Sequence, residues 1–167
     1  RSARAKVSFF VSGLTETSTL TLNSGVVCNG AGDNTNYIFC IPEDITVPVT
    51  NGFAEFSNIE IYEGVFVSEN FTVDTSLFNQ RFILDNSFID TSTIKVKVKS
   101  SSTATSSVTY KQIDNIVGVT STSNSYLLQE IEDERYELIF GDNVIGRKLS
   151  NNNYITASYL VTDGKDG

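Results

Sequence analysis

The side chains that could perform chemistry in this 167-residue chain are carboxylates and two cysteines, because the sequence contains no histidine. Without an imidazole there is no Ser-His-Asp or Cys-His relay, and no general base that titrates near neutral pH. A zinc site with histidine ligands is excluded for the same reason. Together with the weak carboxylate candidates considered next, the missing histidines lead us to expect that the protein is not an enzyme and that it carries no cofactor.

The carboxylates are the first candidates for a metal site. Four of them lie within one five-residue segment: Glu130, Glu132, Asp133 and Glu134. Calcium takes about 6–8 oxygen ligands, and its dedicated loops alternate Asp and Asn around a glycine. This segment lacks that spacing, so a solvated acidic hairpin is favoured over a metal site. The same reasoning applies to three scattered residues: Asp33, Glu43 and Asp44. Paired carboxylates also serve glycoside hydrolysis, but no flanking aromatic groove is evident.

Cys28 and Cys40 stand on either side of a loop rich in glycine and asparagine. A disulfide is geometrically feasible if their two strands are neighbours. The alternative, which we favour, is two partly buried free thiols in a reducing compartment. Neither thiol has a histidine to activate it, so nucleophilic catalysis is not expected.

Charge narrows the choice of partners. The chain has 12 Lys and Arg against 20 Asp and Glu, which gives a net charge of −8 and a pI near 4.4. Nucleic acid is not an expected partner, because binding to phosphates needs clustered basic residues. The net charge is −6 over residues 1–75, +2 over 76–129 and −4 over 130–167.

The apolar runs are too short for membrane insertion. The absence of Met predicts a segment of a longer polypeptide, or a processed one.

Alternating hydrophobic patterns and turn residues predict an almost entirely β-structure. We expect antiparallel β-sandwich-like lobes with little helix, with a small α+β second lobe as the alternative. The predicted division is an acidic lobe over residues 1–75 and a second β-rich lobe over 76–167. Within the first lobe, Asn51-Gly52 predicts a hairpin, and the phase change at Ser57-Asn58 predicts a bulge. Residues 113–119 fit either a strand or a turn of helix.

Thr93–Lys99 is the clearest two-residue alternation in the chain. It places Ile94, Val96 and Val98 on one face and three lysines on the other: Lys95, Lys97 and Lys99. Lysines on a solvent-facing strand also discourage edge-to-edge aggregation. These lysines form a candidate interface, and a merely solvated strand face is the alternative.

The most specific pattern lies in the second lobe, at Phe140-Gly141-Asp142-Asn143 and Gly146. The pattern predicts a strand over 136–140, a tight structural turn, and a second strand over 144–149. Gly141, Asp142 and Asn143 tolerate the positive φ angles that such turns need. A phosphate-binding loop is not expected, because no helix follows the glycines.

This pattern resembles the bacteriophage baseplate J-like family, which includes baseplate wedge proteins of contractile-tailed phages. Eight residues stand at the matching places: Tyr136, Phe140, Gly141, Asp142, Gly146, Leu149, Tyr159 and Gly164. Asn143 replaces the glycine that is usual in the family's turn, a replacement that Asn tolerates because it also adopts left-handed conformations. We expect the family's helical N-terminal part and its C-terminal portion to lie outside this segment of a longer polypeptide.

The resemblance implies a structural role in the wedge or inner ring of a tail baseplate. It implies partners among the other baseplate wedge proteins, self-association, and a location in the virion tail after assembly in the host cytoplasm. The alternative is a carbohydrate-binding or adhesin β-sandwich domain of a surface or tail-fibre protein. That alternative requires exposed aromatic residues on one face or in a groove.

Overall fold

The computed structural model describes residues 2–15, 17–32 and 35–162, with only the backbone described at Gly32 and Thr35. The protein is mostly β, and its two sheets form sandwich-like or near-barrel lobes, as the sequence predicts. The chain divides into two compact units, the first running to Phe66 and including Thr162, and the second covering Val67–Val161. The division falls inside a strand and thus before the predicted boundary at residue 75.

The first unit is built from six strands: β1 (Arg4–Ser12), β2 (Thr19–Leu22), β3 (Gly25–Gly32), β4 (Thr35–Ile41), β5 (Ile45–Thr50) and β6 (Phe53–Glu63). Their order is β2-β5-β6-β4-β3, with β1 on the other side of β6, and all the pairings are antiparallel. One side of β6 thus pairs with β5 at its start and with β4 at its end. The inward residues of β6, such as Phe56 and Ile61, form the core with Ile41.

Local sequence determines two details of β6. Asn51 and Gly52 both have positive φ, 52° and 78°, and they join β5 to β6 as the predicted tight hairpin. The predicted bulge is also confirmed: the pairing with β1 shifts register between Val7 and Phe9. At the bulge Asn58 has a φ of 54°, and its backbone N–H donates to Ser8 Oγ at 2.8 Å. The bulge restores the alternation that Ser57-Asn58 interrupts.

The second unit holds the remaining strands: β7 (Val65–Thr72), β8 (Ile83–Leu84), β9 (Ile89–Lys99), β10 (Ser107–Gln112), β11 (Ser125–Glu130), β12 (Tyr136–Phe140) and β13 (Tyr154–Val161). Their order in the sheet is β7-β13-β9-β10-β11-β12-β8. The pairing of β10 with β11 is parallel, whereas the pairs β13–β9, β9–β10, β11–β12 and β12–β8 are antiparallel. Large inward side chains, among them Tyr126, Leu138 and Tyr159, form its core.

Two expectations for the second unit are wrong. The α+β alternative is not realised, because the described part of this unit contains only a 3₁₀ turn at Glu132–Glu134, and residues 113–119 form turns. The strand predicted over 144–149 is also absent. The backbone N–H groups of Gly146 and Arg147 instead donate to the carbonyls of Thr120 and Ser123, at 3.1 and 2.9 Å, which lie in a loop rather than a strand.

Candidate functional site

The predicted turn is anchored by Phe140, the last residue of β12. Its ring packs edge-on against Phe82 and Tyr110, with both centroid distances at 5.6 Å, and it lies 6.2 Å from Tyr126. Edge-to-face contacts of this kind stabilise by about 0.5–1.5 kcal/mol each beyond the area they bury. Phe140 therefore fixes the start of the turn to the core of the second unit.

The two glycines of the motif are required by close packing of backbone on backbone. A Cβ on Gly141 would lie at most 2.6 Å from three backbone atoms of Gly146, a separation that real Cβ atoms essentially never show. Gly146 itself has a φ of 81°, in the left-handed region that favours glycine. The motif's glycine spacing thus reflects a steric requirement of the turn.

Asp142 and Asn143 hold the turn closed through their side chains. Asp142 Oδ1 accepts hydrogen bonds from the backbone N–H groups of Val144 and Ile145, at 2.8 and 2.9 Å. These bonds, with that from Ile145 first, lower the pKa of the Asp142 carboxyl. Asn143 has a φ of 73°; its N–H donates to the Gly146 carbonyl at 3.0 Å, and its Oδ1 accepts from the Lys148 N–H at 2.9 Å. Together these hydrogen bonds hold the segment from Asp142 to Lys148 in its turn conformation.

The closed turn presents apolar side chains to solvent. Val144 is 73% exposed and Ile145 is 41% exposed. In the loop that receives the turn's hydrogen bonds, Ile116 and Val117 are exposed as well. Four exposed aliphatic side chains thus lie on two loops that are joined by backbone hydrogen bonds.

The predicted lysine face lies on β9, with Val96 and Val98 buried behind it. Lys95 and Lys97 are exposed, and Lys99 is half-buried. The strand is not an edge strand, because it pairs with β13 on one side and β10 on the other, so that Lys97 lies between Thr156 and Thr109. The interpretation that these lysines guard a free edge is therefore wrong.

The two cysteines are both free thiols, as favoured from the sequence, but the expectation that both are partly buried is wrong. Their strands β3 and β4 do pair, but Cys28 lies opposite Phe39, while Cys40 lies opposite Val26. Cys28 is exposed whereas Cys40 is buried, so the two side chains point away from each other. Burial raises the pKa of the Cys40 thiol to about 11, and its Sγ donates to the Tyr62 carbonyl at 3.5 Å.

The carboxylates considered as metal ligands from the sequence lie beside other groups of the protein in the structure. Asp133 and Glu134 sit in the 3₁₀ turn with positive φ, and Arg135 lies 3.7 Å from Asp133. Asp44 Oδ1 accepts the Ser24 N–H at 2.6 Å, which lowers the pKa of that carboxyl. Asp33 lies outside the described residues. Within residues 2–15, 17–32 and 35–162, no three His, Cys, Asp or Glu side chains are arranged to hold a metal ion.

An aromatic groove in the first unit was missed by the sequence reasoning. It is a cavity of about 440 Å³ lined by Ser8, Phe9, Phe10, Phe53 and Glu55. Phe10 is 69% exposed and Phe53 is 52% exposed, with their ring centroids 6.4 Å apart. The pair Phe9-Phe10 could have predicted an exposed aromatic ring, because adjacent residues of a strand point to opposite faces and one of the two rings must face outward.

Compared with known proteins, the chain matches no family model and gives no significant match among curated proteins. The resemblance carried by the Phe140–Gly146 motif therefore stays a prediction. In the part of the chain that the structure describes, no helix is long and apolar enough to span a membrane.

Proposed function

We propose that this chain is a structural component of a contractile phage-tail baseplate, acting in the wedge or inner ring. It would mediate subunit assembly and transmit the baseplate's rearrangement, with other wedge proteins and further copies of itself as partners. The motif at Phe140–Gly146 suggests the family, and the structure adds one observation to it. The single observation that carries the proposal is the lysine face on a strand paired along both sides.

A lysine face on an interior strand needs an explanation other than protection of an edge. The three lysines recur every second residue, so their Cα atoms are spaced about 7 Å apart along a rigid strand. Thr109 and Thr156 are the cross-strand partners of Lys97, so the face has polar residues on both sides of it. Such an array favours an acidic partner surface, and charge complementarity speeds association and selects partners.

Reversal of these charges tests the proposal. The triple variant K95E/K97E/K99E is expected to fold and to lose co-assembly with the other wedge proteins, measured by co-purification and by analytical ultracentrifugation. As a matched pair, Lys97→Glu should weaken assembly while Lys6→Glu, which changes the charge of an exposed β1 residue by the same amount, should not. Unchanged co-assembly of the triple variant would refute the role of this face.

A second candidate, a carbohydrate-binding domain, is favoured by the aromatic groove. Aromatic faces stack on the C–H faces of sugar rings because that contact buries apolar area from both partners. Phe10 and Phe53 offer such faces, and the Glu55 carboxylate, which accepts from Ser57 Oγ at 2.8 Å, offers an acceptor for sugar hydroxyls beside them. The groove is thus the feature that this alternative requires.

Glycan-array binding by the purified chain separates the two candidates. If the groove binds sugars, Phe10→Ala and Phe53→Ala should abolish binding. Phe78→Ala, which removes an aromatic ring 94% exposed in the second unit, should leave binding unchanged and serves as the control. Glycan binding with this pattern would count against the baseplate role, and its absence would remove the second candidate.

A further inference from the structure

The second unit contains a cleft of about 220 Å³ whose charged lining residues are all cationic. They are Lys99, Arg147 and Lys148, and the lining contains no carboxylate. The positive charge of this basic cleft is opposite in sign to the net charge of the chain, which is −8. A concave site that gathers positive charge in an acidic protein is suited to an anion.

Two of these cations are not neutralised by the protein. Neither Lys99 nor Arg147 makes an ion pair or a side-chain hydrogen bond with another residue of the described ranges. The charge of Arg147 acts on the Tyr110 hydroxyl at the bottom of the cleft, opposing the rise in pKa that burial causes there. Lys148 differs, because its charge also acts on the carboxylate of Asp142.

The floor of the basic cleft carries polar groups without protein partners. Tyr110 is only 6% exposed, and among the described residues its hydroxyl makes no hydrogen bond. Asn124 Oδ1 is buried and likewise has no hydrogen-bond partner within the described chain. Buried polar groups are nearly always paired in folded proteins, so the unpartnered Asn124 Oδ1, beside the Tyr110 hydroxyl and the two cations, indicates that a ligand completes the site.

We propose that the basic cleft binds a phosphate group, either inorganic phosphate or the phosphate of a monoester. Lys99 and Arg147 supply the charge, and the Tyr110 hydroxyl donates to a phosphate oxygen. The Asn124 amide turns about its Cβ–Cγ bond, so that Oδ1, which is closed off from solvent in this structure, accepts from the P–OH of the monoprotonated anion. This last contact selects phosphate over sulfate and carboxylates, which carry no proton at neutral pH. Since a water molecule occupies about 30 Å³ of the liquid, the cleft has room for the phosphate and part of an ester substituent.

Titration calorimetry on the whole chain, at constant ionic strength set with sodium chloride, tests this site. Inorganic phosphate, glycerol 3-phosphate and sulfate are the three probes. We expect saturable binding of at least one of the two phosphates, and weaker binding of sulfate. Preference for inorganic phosphate identifies the free ion as the ligand, whereas preference for the ester identifies a monoester. Lack of saturable binding of both phosphates, or equal binding of sulfate, overturns the proposal.

Variants assign the binding to this cleft. Arg147→Gln and Lys99→Gln should each weaken phosphate binding about tenfold, because a charge-assisted hydrogen bond is lost. Tyr110→Phe keeps the ring that packs on Phe140 and should weaken binding several-fold with the thermal unfolding midpoint retained. Lys111→Gln, at an exposed position on β10, is the matched control and should change nothing. Equal effects of Lys111→Gln and Arg147→Gln would place the binding elsewhere and refute the site.

Discussion

Replacing Gly141 with alanine tests the steric account of the Phe140–Gly146 turn. The added Cβ would lie at most 2.6 Å from three backbone atoms of Gly146, while ordinary contacts begin at 3.4 Å. Gly141 does not have the positive φ that would itself disfavour alanine, so the whole cost of the substitution is steric. The chain around Gly146 must move by roughly 1 Å to relieve the overlap.

The magnitude follows from the contacts that such a movement disrupts. Gly146 accepts the Asn143 N–H at 3.0 Å and donates to the Thr120 carbonyl at 3.1 Å. Each of these hydrogen bonds contributes about 1 kcal/mol, and overpacking costs about 1–3 kcal/mol more. We therefore expect the free energy of unfolding of the second unit to fall by about 3–5 kcal/mol. For a unit of this size that corresponds to a drop in Tm of roughly 12–40 °C.

Tyrosine fluorescence during urea unfolding is the suitable assay, because five of the seven tyrosines lie in the second unit and the chain has no tryptophan. Gly118→Ala is the matched control: Gly118 has a φ of 80°, but a Cβ there meets nothing within 4 Å. That variant should lose only the cost of the left-handed conformation, about 1–2 kcal/mol. A Gly141→Ala variant no less stable than Gly118→Ala would refute the close-packing argument.

Two further predictions concern titratable side chains. Asp142 has a lowered pKa in the folded protein, so its bonds stabilise the turn above the unfolded value of about 3.9, and this contribution is lost as the pH falls through the lower folded value. Asp142→Ala should therefore reduce the loss of urea resistance that occurs between about pH 5 and pH 2. Some of that loss should remain, because hydrogen bonds from Ser76 also lower the pKa of Asp74. Asp114→Ala is the control, and an unchanged pH profile for Asp142→Ala would contradict this explanation. Cys28 should react rapidly with a thiol reagent at pH 8, whereas Cys40, buried and with a pKa of about 11, should react only after urea unfolds the first unit. Two equally fast thiols in the native protein would show that Cys40 is not protected by burial.

The hairpin, the bulge and the alternation of β9 were predictable because each depends on neighbouring residues. Asn51-Gly52 adopts positive φ readily, and Thr93–Lys99 needs only the two-residue period of a strand. The conformation of the segment after Asn143 could not be predicted in this way. Val144–Leu149 has the composition of a strand, yet the hydrogen bonds of Gly146 and Arg147 go to a loop more than twenty residues earlier in the chain. No local pattern specifies that partner.

The sequence by itself determined that the protein is a mostly β chain, without the histidines that most relay catalysis needs, and with a glycine-dependent turn at Phe140–Gly146. Only the tertiary structure decided that β9 is an interior strand, which of Phe9 and Phe10 is the more exposed, and that Arg147 meets Lys99 and Tyr110 at one cleft. The physical reason is the distance along the sequence over which each effect acts. Backbone preferences and alternation act over a few residues, whereas strand order, burial of a face and the gathering of distant charges depend on pairings between segments far apart in the chain.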